Sequence, residues 1–558
     1  MKEMSGCSAF MSILEDEGVN YLFGNPGTTE LPIMDCLVER PGIEYVLGLQ
    51  EAVVMAMADG YSRASGRLSC ANFHVAPGLG NAIGAIYNAY FFGSPVIVTA
   101  GQQERGLSVT EPMLYHDLVA MARPVVKWAT EVQRPEDIPR IFRRAAKVAL
   151  TPPTGPVFVS LPGDILKGTA PMTLGHSTRI DSRSRPSGAM LNRLADRLLS
   201  AENPVIIACH EVYTSGAMEE TALVAERIGA SVYSPSVPYV AVFPTDHPLY
   251  MGEITRNQKR VREILDAHDL LFMVGGEGLR MSVPSTVEPV PPDMSIIQVG
   301  NRDWEIGKNY PAEMAVDADV KETLKALIPI LEEKQTSEQS ASVQARVERI
   351  KEHNWRVRRE ALVSKIEKQG ADTPIHPDYL MMEIAQTLPE DGILVEEGIS
   401  SVRNLLNLLP VNHRHRLFGL ASGGIGCGIG AAVGIKLAHP NRPVVALIGD
   451  GSAMFGIQAL WTAANRKIRI VYVIINNSGY TILKERLMAY GGSAATSGRI
   501  IGMNFKDPSI NFSQLSGALG VPAVEVTEPA QIRPALTEAL KADGPVLLDV
   551  MVRDISQL

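Results

Sequence analysis

Three doubly wound α/β domains, each on a parallel sheet, are what this sequence predicts. Short β-branched runs alternate with helical segments from end to end, the pattern of parallel βαβ units. The length, 558 residues, exceeds what one hydrophobic core serves and fits about three domains of ordinary size. Two polar stretches divide the chain into similar portions. Residues 174–187 carry Arg, Ser and Pro without apolar period, and residues 333–345 are rich in Ser, Gln and Glu, as a linker or exposed helix is. The expected domains are 1–185, 186–345 and 346–558.

In the first portion strands are expected over 43–49, 69–73, 96–99 and 156–160. The second offers 204–208, 270–274 and 295–299. The third offers 393–396, 444–448, 470–475 and 546–550. Each set supplies most of one doubly wound sheet, and no repeat of solenoid length is present.

Composition narrows the function classes. Net charge is −9 and spread along the chain, with no basic stripe and no aromatic–basic interleaving, so nucleic acid is not an expected partner. Five scattered cysteines form no C-x-x-C pair, which excludes a zinc ribbon and fits a reducing compartment. The first residues read as an amphipathic helix broken by acids, without the apolar core of a signal peptide. No run reaches the ~18 apolar residues of a membrane span. A cytoplasmic protein is expected.

The most informative segment is VVALIGDGS (444–452) followed by IVYVIINN (470–477). Both are β-branched runs ending in polar residues, and open α/β sheets bind ligands beyond such strand tips. Asp450 lies between Gly449 and Gly451, where the backbone can approach a diphosphate and the next helix offers its N–H groups. Mg²⁺ favours hard oxygens, and Asp450, the Asn477 side chain and the Gly479 carbonyl supply them. Each half alone is a common turn. Together, 27 residues apart with a helix between, they resemble the thiamine-diphosphate motif, which opens Gly-Asp-Gly and closes Asn-Asn. A competing dinucleotide fingerprint, GCGIGA (426–431), needs a buried strand before it. The preceding segment is a poor one, and a nicotinamide site leaves Asp450 and Asn477 unexplained.

Thiamine chemistry also needs a carboxylate beside the aminopyrimidine ring. Glu51 stands where a strand gives way to a helix, a position where the helix dipole favours an acid for its own reasons. Its neighbourhood is more specific. FGNPGTTELP (23–32), GLQEA (48–52), NFHVAPGLGN (72–81), TAGQQ (99–103), RPVVKW (123–128) and LASGGIG (420–426) resemble, in order and spacing, the thiamine-diphosphate-dependent 2-keto acid decarboxylases, benzoylformate decarboxylases above all. The similarity runs over nearly the whole chain and is densest in its first and last thirds.

The resemblance implies roles. Glu51 is the activating glutamate, and His74 the histidine that handles protons at the carbanion stage. Thr28 stands where the family has a serine for the substrate carboxylate. Gly423 offers a carbonyl to the aminopyrimidine and Ile425 bends the cofactor. Ile399, Ser400 and Tyr480 line it, and Gly449, Asp450, Gly451, Ser452 and Asn477 hold its diphosphate and metal. Leu114, Ile482 and Arg486 border the substrate pocket. In the family Glu51 and Asp450 come from different subunits, so a dimer at least is implied, and a tetramer fits.

Two departures matter. The family's second catalytic histidine sits in the middle domain, but VGGEGLRMSV (274–283) has none, and Ser282 occupies the place. His116 is a candidate substitute, although such a residue more often faces solvent. Ile482 is bulky for a phenyl pocket, and Arg486 either meets a second acid on the substrate or turns outward. The expected activity is non-oxidative decarboxylation of a benzoylformate-like, branched or aliphatic 2-keto acid with thiamine diphosphate and Mg²⁺. The rivals are a carboligase or lyase on the same fold, acetolactate-synthase-like or benzaldehyde-lyase-like, and a non-catalytic relative that only binds cofactor.

Overall fold

The structure is a computed structural model and describes residues 2–283, 285–370 and 372–557. β1 (Lys2–Ser5) opens the chain. The first large sheet comprises β2 (Tyr21–Gly24), β3 (Glu44–Leu47), β4 (Ser69–Phe73), β5 (Val96–Gln102), β6 (Ala129–Glu131) and β7 (Val157–Pro162). All six are parallel, in the order β3-β2-β4-β5-β7-β6. β8 (Thr169–Met172) returns to pair antiparallel with β1.

The second sheet holds β9 (Pro204–Ala208), β10 (Ser231–Ser234), β11 (Tyr250–Glu253), β12 (Leu270–Val274), β13 (Ser295–Gly300) and β14 (Met314–Asp317). Their order is β11-β10-β9-β12-β13-β14, again all parallel. The third holds β15 (Ile393–Glu397), β16 (Leu417–Phe418), β17 (Val444–Gly449), β18 (Val471–Asn476), β19 (Ala523–Val526) and β20 (Val546–Met551), ordered β16-β15-β17-β18-β20-β19. The first and third sheets thus share one topology. In both, the order reverses between the first strand and the third, and ligands of such sheets bind in the crevice at that reversal.

The interior strands are mostly apolar because helices cover both faces of each sheet. β4, β9 and β12 are buried at every position. The strands absent from the sequence expectation (β1, β2, β6, β8, β10, β11, β14, β16 and β19) have two to four residues, and most lie at sheet edges; β1 stands where the expected N-terminal helix was to begin, and that helix starts at Gly6. Their alternating or partly exposed side chains, as in MAVD of β14, carry too little pattern to stand out. Between β8 and the helix Gly188–Leu199 there is neither helix nor strand. The polar stretch 333–345, by contrast, is largely helix: Thr336 caps the helix Ser337–Lys351 in a capping box with Gln339.

The first and third domains meet through two helices that cross closely. Gly60, on the helix Glu51–Ser65, has no room for a Cβ against the Ala431 carbonyl, and Gly434, on the helix Gly428–Ala438, none against the Met57 carbonyl. Glycine there trades helix propensity, about 1 kcal/mol per residue, for backbone-to-backbone packing. Among the described residues no helix is long and apolar enough to cross a membrane.

Candidate active site

At the reversal of the third sheet, β17 ends at Gly449 and one helical turn, Asp450–Ala453, follows. Asp450 is 3% exposed. Its Oδ1 accepts the Gly451 N–H (2.8 Å) and its Oδ2 the Gly479 N–H (3.1 Å). Gly451 is required because a Cβ would press on the Tyr480 ring at 2.5 Å. β18 ends at Asn476, whose amide donates to Asp549 (3.0 Å), and Asn477 follows, its backbone N–H among those that face the Asp450 carboxylate. Asn477 donates through Nδ2 to Ser401 Oγ (3.3 Å), while its buried Oδ1 has no partner among the described residues. Burial pushes the Asp450 carboxyl up to about 6, against the pull of the surrounding N–H groups.

A buried carboxylate beside an orphaned amide oxygen calls for a hard cation. Leaving such an oxygen unpaired costs about 1–3 kcal/mol, which ligation recovers. Among the described residues no three His, Cys, Asp or Glu side chains converge on one point. A cation here therefore draws on amide and backbone oxygens, and the residues present fit Mg²⁺.

Across the same crevice, β15 ends in Glu396 and Glu397. Glu397 is buried and accepts the N–H groups of Gly426 and Gly428. It thereby pins the 423–428 loop, on which Gly423 is exposed at φ 86° and Ile425 is half-buried. Burial drives its carboxyl up to about 7 despite those two N–H groups. Ile399 follows at φ 50°, 40% exposed, and Ser400 is buried. Sequence reasoning missed Glu397. The available signal was a second acid at the tip of an apolar strand.

The first sheet builds its own cluster at the equivalent reversal. β2 runs into the turn Thr28–Glu30, β3 leads to Glu51, and β4 leads to His74. Thr28 is exposed, whereas Glu30 is 0% exposed. Glu30 has four partners: the Gly27 N–H (2.9 Å), the Gly101 N–H (2.9 Å), Thr29 Oγ1 (2.6 Å) and His74 Nδ1 (2.8 Å). Gly27 leaves the space that the His74 ring fills. Glu51 begins the helix Glu51–Ser65 and accepts from Asn25 (3.4 Å) and Asn81 (3.0 Å). Glu30 was also missed as a site residue, because an acid before a Pro-started helix reads as a helix N-terminal charge.

The remaining predicted residues divide. Gln102 Nε2 donates to the His116 carbonyl (2.8 Å) and Gln103 Nε2 to the Met113 carbonyl (2.9 Å), which ties the 113–116 loop to the tip of β5. Leu114 sits in that loop at φ 72°, and the His116 side chain is exposed. Ser282 is exposed on the segment after β12, its N–H on the Arg256 carbonyl (3.3 Å). Ile482 is half-buried and Arg486 exposed on the helix Thr481–Tyr490. Non-glycine residues with positive φ gather here: Val75, Leu114, Ile399 and Ser478 all adjoin or belong to predicted site positions. Each costs of order 1–3 kcal/mol, held by the surrounding packing. Among the described residues no hydrogen bond joins the Glu51–His74 cluster to the Asp450–Asn477 cluster within one chain.

Comparison with known proteins identifies the family. Three family models match: the N-terminal TPP binding domain of thiamine pyrophosphate enzymes over residues 4–121, their central domain over 191–327, and their C-terminal TPP binding domain over 401–550. Benzoylformate decarboxylase of Pseudomonas aeruginosa is 32% identical over 98% of this chain and 99% of its own length. A probable acetolactate synthase large subunit of Methanocaldococcus jannaschii is 28% identical over 98% of this chain and 92% of its own. Among solved structures, the thiamine diphosphate-dependent 4-hydroxybenzoylformate decarboxylase of Rhodococcus jostii RHA1 superposes with a TM-score of 0.86 at 31% identity, covering 99% of each chain. Benzoylformate decarboxylase of Polynucleobacter necessarius does so at 0.88 and 28%, again over 99% of each. The chain belongs to the thiamine pyrophosphate enzymes, within their decarboxylase family.

Proposed function

We propose that the protein removes CO₂ non-oxidatively from a 2-keto acid, with one proton taking the place of the carboxylate to give an aldehyde. The observation that carries this reading is the pairing of an oxygen clamp at Asp450 and Asn477 with a histidine locked by a buried glutamate. Asp450, Asn477 Oδ1 and the Gly479 carbonyl would hold Mg²⁺, and the 449–452 backbone the diphosphate. Glu51 would serve the aminopyrimidine, with the Gly423 carbonyl, Ile425, Ile399, Ser400 and Tyr480 around it. When bound, thiamine diphosphate supplies the electron sink for the departing carboxylate's bond.

The chain's own residues do the rest. The Thr28 hydroxyl, exposed beside the cluster, donates to the substrate carboxylate. Glu30 engages His74 Nδ1, fixes its tautomer and leaves Nε2 to give or take the proton. Glu51 and Asp450 stand in separate clusters within one chain, and the reading takes them as halves of one site completed by a second subunit. The domains are taken as 1–185, 186–345 and 346–558. Five free cysteines fit a reducing, cytoplasmic setting. Leu114, Ile482 and Arg486 border a pocket suited to benzoylformate-like, branched or aliphatic acids.

One observation favours a second reading. Ser282 replaces a histidine in the middle-domain loop, and a slower final protonation leaves time for attack on a second carbonyl, as in a carboligase. The test is CO₂ release from a panel of 2-keto acids with thiamine diphosphate and Mg²⁺, with product analysis. Aldehyde as the main product supports the decarboxylase. Hydroxyketone as the main product, or no CO₂ from any acid, replaces it with the carboligase or lyase.

A further inference from the structure

The pocket helix Thr481–Tyr490 starts two residues after Gly479, yet what fixes it comes from the end of the chain. Lys484 is 3% exposed in its side chain, and its ammonium lies 2.6 Å from Asp554 Oδ2. Thr481, the helix's first residue, donates from Oγ1 to Asp554 Oδ1 (3.1 Å), which also accepts the Ser556 N–H (3.0 Å). One carboxylate thus grips the first and fourth residues of the helix, 73 and 70 positions earlier in sequence.

The grip continues to both sides. Lys484 Nζ sits 2.9 Å from where a Cβ on Gly479 would stand, so the ammonium packs on the backbone of the loop that carries Asn477 and Gly479. Asp554 is itself anchored: the Val552 N–H donates to the Asn476 carbonyl (2.9 Å) and the Arg553 N–H to the Ile375 carbonyl (2.8 Å). One residue further along, Glu485 pairs with Arg403, from the segment that follows Ser400 and Ser401. Burial pushes the Asp554 carboxyl up, but the Lys484 ammonium and the Ser556 N–H more than reverse this and bring it to about 2. The carboxylate is therefore ionised near neutral pH.

We propose that Asp554, acting through Lys484 and Thr481, is a positioning residue for the keto-acid pocket. It fixes the roll of the helix Thr481–Tyr490 about its own axis, and so sets where Ile482 and Arg486 stand relative to Gly479. The assignment of that helix to the pocket rests on the decarboxylase reading above. The pair touches no reacting atom, so its signature is in substrate recognition rather than in the chemical step. A geometry held from 70 residues away also lets the C-terminal segment tune substrate choice without changing the helix sequence.

The test compares Asp554→Asn with the wild type in three readouts: steady-state kinetics across the 2-keto acid panel, thiamine diphosphate affinity by fluorescence quenching, and amide hydrogen exchange over 481–490. KM is expected to rise about tenfold with kcat changed less than about threefold, a loss of uniform binding. Cofactor affinity should stay within about threefold of wild type, while amides 481–484 exchange faster. Lys484→Arg, which keeps a cation beside the intact Asp554, should hold KM near wild type. Asp554→Asn strands a buried cation and can cost folding, so the paired replacement Lys484→Met with Asp554→Leu keeps the test open: it leaves no unpaired charge and should show the same rise in KM. Unchanged KM in both variants, unchanged exchange, or a fall in kcat as large as the rise in KM overturns the proposal. If the wild type releases no CO₂ from any acid, the decarboxylase reading fails on that result alone. The exchange rates still decide whether Asp554 positions the helix: unchanged rates overturn it, and faster ones support it.

Discussion

The two halves of the site use one topology to opposite ends. The first and third sheets have the same strand order, and each places its functional residues at the same reversal. In the first, the acids are satisfied: Glu30 has four partners and Glu51 two amide donors. In the third, Asp450 is buried with its carboxyl pushed up and Asn477 Oδ1 has no partner among the described residues. One half is satisfied as it stands, and in the proposed reading a cation would complete the other. The difference teaches where each half is fragile: the first to the loss of a side chain, the third to the loss of an ion.

The largest expected effect breaks the third half. Asp450→Ala should weaken Mg²⁺-dependent thiamine diphosphate binding by more than about 100-fold, read by titrating both into metal-free protein. Binding within a few-fold of wild type would remove Asp450 from the clamp. Next comes the first half. Glu30→Gln should lower kcat on the order of 100-fold by releasing His74 from its tautomer, and added Mg²⁺ should not restore it. Rescue by Mg²⁺ would erase the contrast between the halves.

A smaller effect is thermal. Mg²⁺ with thiamine diphosphate should raise the melting temperature of the wild type and of Glu30→Gln by a few degrees, and leave Asp450→Ala unmoved, by mass action on the folded state. Differential scanning fluorimetry reads it, and an equal shift in all three contradicts it.

The pH dependence of Glu397 is smaller again. Its carboxyl is raised in the fold from 4.5 to about 7, so its favourable contribution is full below 4.5 and is lost as pH rises through 7. Metal-free protein should therefore melt lower at about pH 8 than at about pH 5, and Glu397→Gln should flatten that slope. The amide has one acceptor for two N–H groups, so this variant should also start from a lower melting temperature at the acid end. A slope unchanged by the substitution would show that other groups set it. Smallest of all, Ser282→His should shift the aldehyde-to-hydroxyketone ratio a few-fold towards aldehyde, and no shift would mean the middle-domain loop does not reach the reacting carbon.

What was legible in the sequence follows the same physics. β9 and β12 are uninterrupted apolar runs, β4 is a buried run interrupted by Ser69 and Asn72, and the bounds of all three match the expected segments residue for residue. β16, two residues long, and β19, with exposed Glu525, stand out only through their neighbours in the sheet. In the site, Asp450 and Asn477 were readable because strand and motif coincide at the sheet's reversal. Glu30 and Glu397 were not, since an acid's worth lies in the backbone N–H groups it meets across the fold. Asp554 and Lys484 were invisible for the same reason, with 70 residues between them.

The most direct test of the account is to mix the two broken halves. Glu51→Gln and Asp450→Ala chains, each inactive alone, are dissociated, combined and reassembled, and CO₂ release is measured. If Glu51 of one subunit completes the Asp450 site of another, mixed dimers carry one intact site, and about a quarter of wild-type activity should return. If no activity returns although hybrid assemblies form, the two clusters do not combine across subunits, and the account of two half-sites is wrong.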